Sequence, residues 1–370
     1  MRYYLRAGEA SGDLHGGNLI KGLKTADPCA EFRFWGGDMM ASASLASPVV
    51  HYRDCAVMGI TDVLHKAPDL LGNLKKCKQD IVRWKPDAVI LIDYPGFNLK
   101  IAQFCHDEGF KVFYYIAPKT WASREGRNAK LKAYVDKLYL IFPFEVPYFT
   151  GKGIPFEYVG NPLVEEIDSH NWSCPSEEPY IAVLPGSRKG EIARMMPVCM
   201  EAADELGLNV LIAGAPSMTE QDYAPFIGSR SNVKVLFQRT YDIIKYARAA
   251  VVNSGTASLE AALIGTPQVV CWSASSLTWF VGKYVLQVLE HVKYISLANL
   301  CLDKPIFKEL IQNGFNAPAL AAEVRYLLED QGRRSAMQED YARLREMLGG
   351  GGASLKAARS MIEEIKPESI

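Results

Sequence analysis

Residues 7–17 read AGEASGDLHGG and residues 184–191 read LPGSRKGE, and this pair of glycine-rich stretches, one in each half of the chain, sets the fold. Each follows a short apolar run, 3–5 in the first half and 181–184 in the second, and each leads into a stretch of helical character. A strand that feeds a helix through a tight glycine turn leaves backbone N–H groups pointing into a crevice, where they hold an anion. Two such units imply two α/β domains facing one active cleft.

Strand-like and helix-like runs alternate on either side of these stretches. Strands are expected near 2–7, 32–35, 88–92, 112–116 and 137–142, then near 180–184, 209–213, 233–236, 249–252 and 268–271. Helices are expected near 15–25, 99–108 and 122–134, then near 191–205, 241–247, 257–263 and 277–291. Uninterrupted apolar strands alternating with helices mean parallel sheets covered on both faces, here two doubly wound Rossmann-like sheets. The polar, aperiodic stretch 164–179 marks a seam. The expected domains are therefore 1–170 and 171–350. Four consecutive glycines at 349–352 form a hinge before a final helix at 353–366, which is expected to return to the N-terminal domain or to exchange with a partner protomer in a homodimer.

The 370 residues exceed one ordinary core, and 49% apolar and 22% charged residues are those of a globular protein. A net charge of −1 argues against binding duplex nucleic acid. Eight scattered cysteines, no two in C-x-x-C spacing, argue against a metal cluster or a disulfide framework and favour a reducing, cytoplasmic compartment. Neither a secretory h-region nor an apolar run of spanning length is found. No D-x-D pair occurs, which favours metal-free chemistry with no cofactor, and no P-loop occurs, which weakens a kinase reading.

Three segments carry candidate chemistry. In NSGTASLE, residues 253–260, a strand ends at Asn253 and Ser254, Gly255 and Thr256 open a helix whose free N–H groups suit a phosphate. Glu260, one turn further in, suits a ribose diol; the alternative is an ordinary capped helix with Glu260 in solvent. In LPGSRKGE, Gly186 and Ser187 shape the turn and Arg188 is placed to clamp a diphosphate, against the alternative of a surface pair with Glu191. In residues 91–98, LIDYPGFN, Asp93 ends an apolar strand and suits a general base, against a turn-forming aspartate before proline. Glu9, Ser11, Gly12 and Asp13 share the first turn and are candidates for the same cleft, whereas His15 is read as a helix-starting residue rather than a base. Residues 56–84 interleave Val57, Met58, Val63, Leu64, Leu70, Leu71 and Leu74 with Lys66, Lys75, Lys76, Lys78 and Arg83, a pattern shared by interfacial surfaces and by helices packed on a sheet.

GEASGDLHG, AVMGITDVL, LIDYPGFN, APKTW, VGNPLVE, LPGSRKGE and NSGTASLE stand in the order seen in the lipid-A-disaccharide synthases, which the chain resembles from Tyr3 to about Asn299. Two departures are Ala298, where proline is expected, and the aromatic first strand ending in Arg6. The resemblance implies a GT-B glycosyltransferase that moves 2,3-diacylglucosamine from UDP to the 6-hydroxyl of 2,3-diacylglucosamine 1-phosphate (lipid X). It implies a peripheral enzyme on the cytoplasmic face of the inner membrane, in contact with its lipids. Carried over by position, it implies Asp93 as general base with Glu9 and Asp13 beside it. It further implies Gly186, Ser187, Arg188, Asn253, Ser254, Gly255, Thr256 and Glu260 on the UDP donor, and Ser11 and Gly12 on the acceptor side. Because acyl chains need an apolar place, Val57, Met58, Val63 and Leu64 are expected to help form an acyl-receiving surface near the cleft. A UDP-GlcNAc 2-epimerase and a non-catalytic nucleotide-sugar sensor are the competing readings.

Overall fold

The computed structural model describes residues 1–55, 67–274 and 293–366. It divides into two units, one made of Met1–Glu166 with Leu348–Ile370 and the other of Ile167–Met347. The change of unit falls at 166/167 rather than at 170/171, within the helix Pro162–Asp168 into which the expected seam at 164–179 opens.

In the first unit β1 (Arg2–Arg6), β2 (Glu31–Gly36), β3 (Val50–His51), β4 (Ala88–Ile92), β5 (Lys111–Tyr115), β6 (Lys137–Leu140) and β7 (Phe156–Tyr158) form one parallel sheet in the order β3-β2-β1-β4-β5-β6-β7. In the second, β8 (Ile181–Leu184), β9 (Val210–Gly214), β10 (Val233–Phe237), β11 (Ala250–Asn253), β12 (Gln268–Trp272) and β13 (Glu309–Ile311) form a parallel sheet in the order β10-β9-β8-β11-β12-β13. All five residues of β4 and all four of β8 are buried, as strands covered by helices on both faces must be. Winding changes direction between β1 and β4 and again between β8 and β11, so each sheet has a switch point where its carboxyl ends open into a crevice.

Three strands escape the sequence: β3, β7 and β13 are two or three residues long and lie at sheet edges. Too short to carry a periodicity, they owe their conformation to the ladder offered by the neighbouring strand, as where Leu138 and Leu140 of β6 stand opposite Phe156 and Tyr158. The first helix also differs from expectation. It runs Ala10–Ala26, five residues ahead of His15, so most of the glycine-rich segment is helix and the turn is confined to 7–9. Its glycines serve close packing: a Cβ on Gly16 would stand 2.7 Å from Met40 Sδ, and one on Gly17 would stand 3.0 Å from the Met39 carbonyl oxygen. Ala298 stands inside a helix, Leu297–Leu302, that forms without the expected proline.

The helix Ala353–Ile365 lies against the first unit's own Ala10–Ala26 helix. Tyr139 Oη donates to Ser360 Oγ at 3.2 Å, and Ser360 Oγ donates to Glu157 Oε2 at 2.6 Å. Gly22 permits this approach, since a Cβ there would be 2.7 Å from the Ser354 carbonyl oxygen. An unobstructed Gly→Ala change inside a helix stabilises by about 0.5–1 kcal/mol. Gly22→Ala is expected to do the opposite and destabilise by about 1–3 kcal/mol, because backbone must move to admit the methyl. Thermal unfolding checks the sign, and a raised melting temperature would show that the two helices are not in contact at this point.

Candidate active site

The first unit's switch point is built from the ends of β1 and β4. After β1 the chain passes Gly8 beneath the ring of Tyr94, so closely that a Cβ on Gly8 would lie 2.3 Å from Tyr94 Cγ. After β4 both Asp93 (φ 41°) and Tyr94 (φ 46°) take the left-handed conformation that non-glycine residues avoid, at a cost of order 1–3 kcal/mol each. The fold holds them there with hydrogen bonds. Asn98 Nδ2 donates to the Asp93 carbonyl at 2.8 Å and the Ile92 carbonyl at 3.1 Å, and Tyr114 Oη donates to the Asp93 carbonyl at 2.6 Å. Asn98 is in turn oriented by Arg6, whose Nη1 donates to Asn98 Oδ1 at 3.2 Å. The Arg6 guanidinium is buried 4.6 Å from the Tyr94 ring centre and 4.0 Å from that of Phe97. Arg6, anomalous as the last residue of a buried strand, thus secures the turn that carries Asp93.

Asp93 itself is half-buried. Burial pushes its carboxyl up to about 6; the Lys119 and Arg127 cations and the Tyr94 N–H oppose the rise and the charge of Glu9 adds to it. A carboxylate with this affinity for a proton is suited to take one from a hydroxyl near neutral pH. Glu9 is exposed at the start of the Ala10–Ala26 helix and accepts from Ser11 Oγ at 3.0 Å, so these two share the Asp93 environment.

Asp13 does not belong with them, which corrects its assignment as a catalytic residue. It is 3% exposed, and its oxygens accept from the backbone N–H groups of Gly37 (2.6 Å), Met39 (3.0 Å) and Met40 (3.2 Å), tying down the helix Asp38–Ser44. Gly12 is likewise buried, its Cβ position 3.3 Å from Ala7 Cβ, and packs the helix on the strand. His15 is inside the helix rather than at its start; burial lowers its pKa to about 4 and keeps it neutral.

The second unit's switch point joins the ends of β8 and β11. Gly186 (φ 104°) sits between two side chains: a Cβ there would lie 2.4 Å from Glu191 Oε2 and 2.6 Å from Asn253 Nδ2. Asn253, buried at the end of β11, therefore meets the 184–191 turn directly. Glu191 Oε2 accepts from the N–H groups of Ser187 (3.0 Å) and Arg188 (3.3 Å), so a carboxylate occupies the donors expected to serve a phosphate. Arg188 is 66% exposed and 3.8 Å from Glu191 Oε1, which makes the surface pair real while leaving the guanidinium accessible. Ser254 donates to the Ile295 carbonyl at 3.2 Å, Gly255 and Thr256 are exposed, and Thr256 opens the helix Thr256–Ile264. Glu260 stands one turn in, accepting from Tyr241 Oη at 3.3 Å.

Sequence reasoning missed several residues. Glu309 accepts from the N–H groups of Ile295 and Ser296, both at 3.0 Å, and from Asn299 Nδ2 at 3.0 Å, and so fixes the turn on which Ser254 leans. Asn98 stands within a motif, yet nothing in its own neighbourhood tells that it bonds the Asp93 carbonyl; Tyr114 carries no signal at all. Val57, Met58, Val63 and Leu64, and the helix expected at 277–291, lie outside the described residues.

Solved structures share this architecture over nearly the whole chain. The putative UDP-N-acetylglucosamine 2-epimerase from Listeria monocytogenes superposes with a TM-score of 0.69 at 12% identity, covering 100% of this chain and 99% of that one. The glycotransferase of kitacinnamycin gives 0.66 at 14% identity, covering 99% of each. The two parallel-sheet α/β units have the GT-B architecture, which glycosyltransferases and epimerases share. The profile of the Lipid-A-disaccharide synthetase family matches residues 3–364. The lipid-A-disaccharide synthase of Trichlorobacter lovleyi is 35% identical, covering 98% of each chain, and that of Myxococcus xanthus is 36% identical, covering 100% of this chain and 99% of its own. The chain belongs to the lipid-A-disaccharide synthetase family.

Asn98→Ala leaves two buried carbonyls short of a donor and releases the strained turn. It is expected to cost about 1–3 kcal/mol of stability. It should also lower kcat by at least roughly tenfold with little change in donor KM, since the base and not the donor site is displaced. A wild-type kcat in the folded variant would show that the tether plays no part in placing Asp93.

Proposed function

We propose that this chain transfers 2,3-diacylglucosamine from UDP to the 6-hydroxyl of 2,3-diacylglucosamine 1-phosphate, forming the β-1,6 disaccharide and releasing UDP in a single inverting displacement. The observation that carries the reading is Asp93, an acid held on a strained turn at a switch point and tuned to about 6. As the acceptor oxygen attacks the anomeric carbon, Asp93 accepts its proton. Arg188 and the start of the Thr256–Ile264 helix receive the negative charge that grows on the departing diphosphate, and Glu260 takes the ribose hydroxyls. The residues proposed to act are all protein groups, so the reaction as proposed uses neither metal nor cofactor.

Among the described residues no helix is long and apolar enough to cross a membrane. The helix Ala67–Trp84 buries Cys77 and Ile81 but leaves Leu71 61% and Val82 41% exposed beside Lys75, Lys78 and Arg83. They border a groove of about 780 Å³ floored in part by Leu74 and Phe104. This face suits peripheral contact with anionic lipid on the cytoplasmic side of the inner membrane.

An assay with UDP-2,3-diacylglucosamine and lipid X, with and without EDTA, tests the reaction; inhibition by EDTA would contradict the metal-free route. Incubation with UDP-GlcNAc alone separates an epimerase, which needs no acceptor. Asp93→Asn is expected to lower turnover roughly 10²–10⁴-fold with folding intact, and a loss below about tenfold would assign the proton transfer elsewhere. Because only ionised Asp93 accepts a proton, the rate in the wild type should rise with pH through about 6 and level off above it. A pH-independent rate across that range would remove Asp93 as the base. Arg188→Ala should weaken UDP binding by roughly tenfold, the worth of one charge-assisted contact. Unchanged UDP affinity would take Arg188 out of the donor site.

A further inference from the structure

β5, next to β4 in the sheet, leads into the segment 116–127, and this segment carries cations that have so far been given no part in holding a substrate. Lys119 and Arg124 are exposed and Arg127 is half-buried at the start of the helix Arg127–Tyr134. Among the described residues none of the three is in a salt bridge, whereas Glu125 between them is engaged by Lys152. Two non-glycine residues hold the segment's shape at a backbone cost, Ile116 at φ 63° and Arg124 at φ 58°. Thr120, 3% exposed, keeps a buried hydroxyl without a hydrogen-bond partner.

The segment adjoins the base. Asp93 N donates to the Tyr115 carbonyl at 3.2 Å, Ile92 pairs with Tyr115, and Tyr114 donates to the Asp93 carbonyl. Lys119 and Arg127 both act electrostatically on Asp93, and Arg124 acts on Arg127. Arg124 opposes the charge of half-buried Arg127, and an anion shared by the two would relieve that repulsion.

From this we infer that Lys119, Arg124 and Arg127 form a binding site for the anomeric phosphate of the acceptor. The inference rests on the acceptor assigned above and adds what recognises it. The acceptor's reacting hydroxyl is on C6 and its phosphate on C1, the two separated by one ring oxygen and its neighbours. A base that grips the hydroxyl therefore places the phosphate one sugar ring away, where cations sharing the base's field are found. Both substrates carry the same diacylglucosamine and differ only at the anomeric position, a monophosphate against a nucleoside diphosphate. An enzyme must read that position to tell them apart, and two guanidiniums with an ammonium supply the charge and the N–H donors that a phosphate dianion takes up.

The test compares lipid X with the same diacylglucosamine lacking the 1-phosphate, both with UDP-2,3-diacylglucosamine in mixed micelles. In the wild type, removing the phosphate should lower kcat/KM by roughly a hundredfold, two charge-assisted contacts being lost. Arg127→Gln should raise KM for lipid X by about tenfold and affect the dephosphorylated acceptor by less than about threefold, the mark of coupling between residue and phosphate. Donor KM should stay within about twofold. Equal losses on the two acceptors would overturn the inference, since the cation would then be acting on the base or the fold. Where Arg127→Gln fails to fold by circular dichroism, Arg124→Gln at its exposed position gives the same comparison. A wild type that makes no disaccharide from either acceptor would instead defeat the proposed reaction itself.

Discussion

A parallel sheet wound in both directions leaves one place uncovered, between the two strands from which the connections depart to opposite sides. In this chain those strands are β1 and β4 in the first unit and β8 and β11 in the second. The groups proposed to act on the donor and on the reacting hydroxyl follow these four ends: Glu9 after β1, Asp93 after β4, Arg188 after β8, Ser254 to Glu260 after β11. The crowding at these ends also explains the glycines. Gly8 must pass beneath the Tyr94 ring, and Gly186 must lie between the Glu191 carboxylate and the Asn253 amide. A side chain at Gly8 would collide with Tyr94, and one at Gly186 with Glu191 and Asn253.

The first unit's crevice is maintained against its own strain. Asp93 and Tyr94 stay left-handed because Asn98 and Tyr114 bond the carbonyls around them, and Asn98 is held by a buried arginine between two aromatic rings. The same low-dielectric surroundings that strengthen these bonds raise the Asp93 carboxyl toward neutrality, so positioning and tuning come from one environment. In the second unit the anion-binding turn is filled by Glu191, which satisfies the N–H groups of Ser187 and Arg188. The helix start at Thr256 is left exposed, its dipole available to an anion.

Much of this was legible in the sequence. The ten longer strands could be read because buried parallel strands are apolar runs, and Asp93 and Asn253 because each ends such a run at its carboxyl end. Asp13 misled because its neighbours in sequence face the crevice, whereas a helix turns each residue about 100° from the last and carries this one toward Gly37. The edge strands stayed hidden because a pairing partner, not composition, makes them. Arg6 read as a flaw in a strand because its partners lie some ninety residues on, at Tyr94, Phe97 and Asn98.

The sequence by itself determined the two-fold repetition of the α/β pattern, the strand ends that bear function and the family to which the chain belongs, since these depend on local periodicity and on ordered motifs. Only the tertiary structure decided that Asp13 is an anchor, that Arg6, Asn98 and Tyr114 hold the Asp93 turn, that the charges of Lys119 and Arg127 act on Asp93, and that the final helix completes the first unit. The physical reason is that hydrogen bonding, burial and electrostatic coupling depend on distance in space, which a parallel sheet sets by bringing together strand ends far apart in the chain.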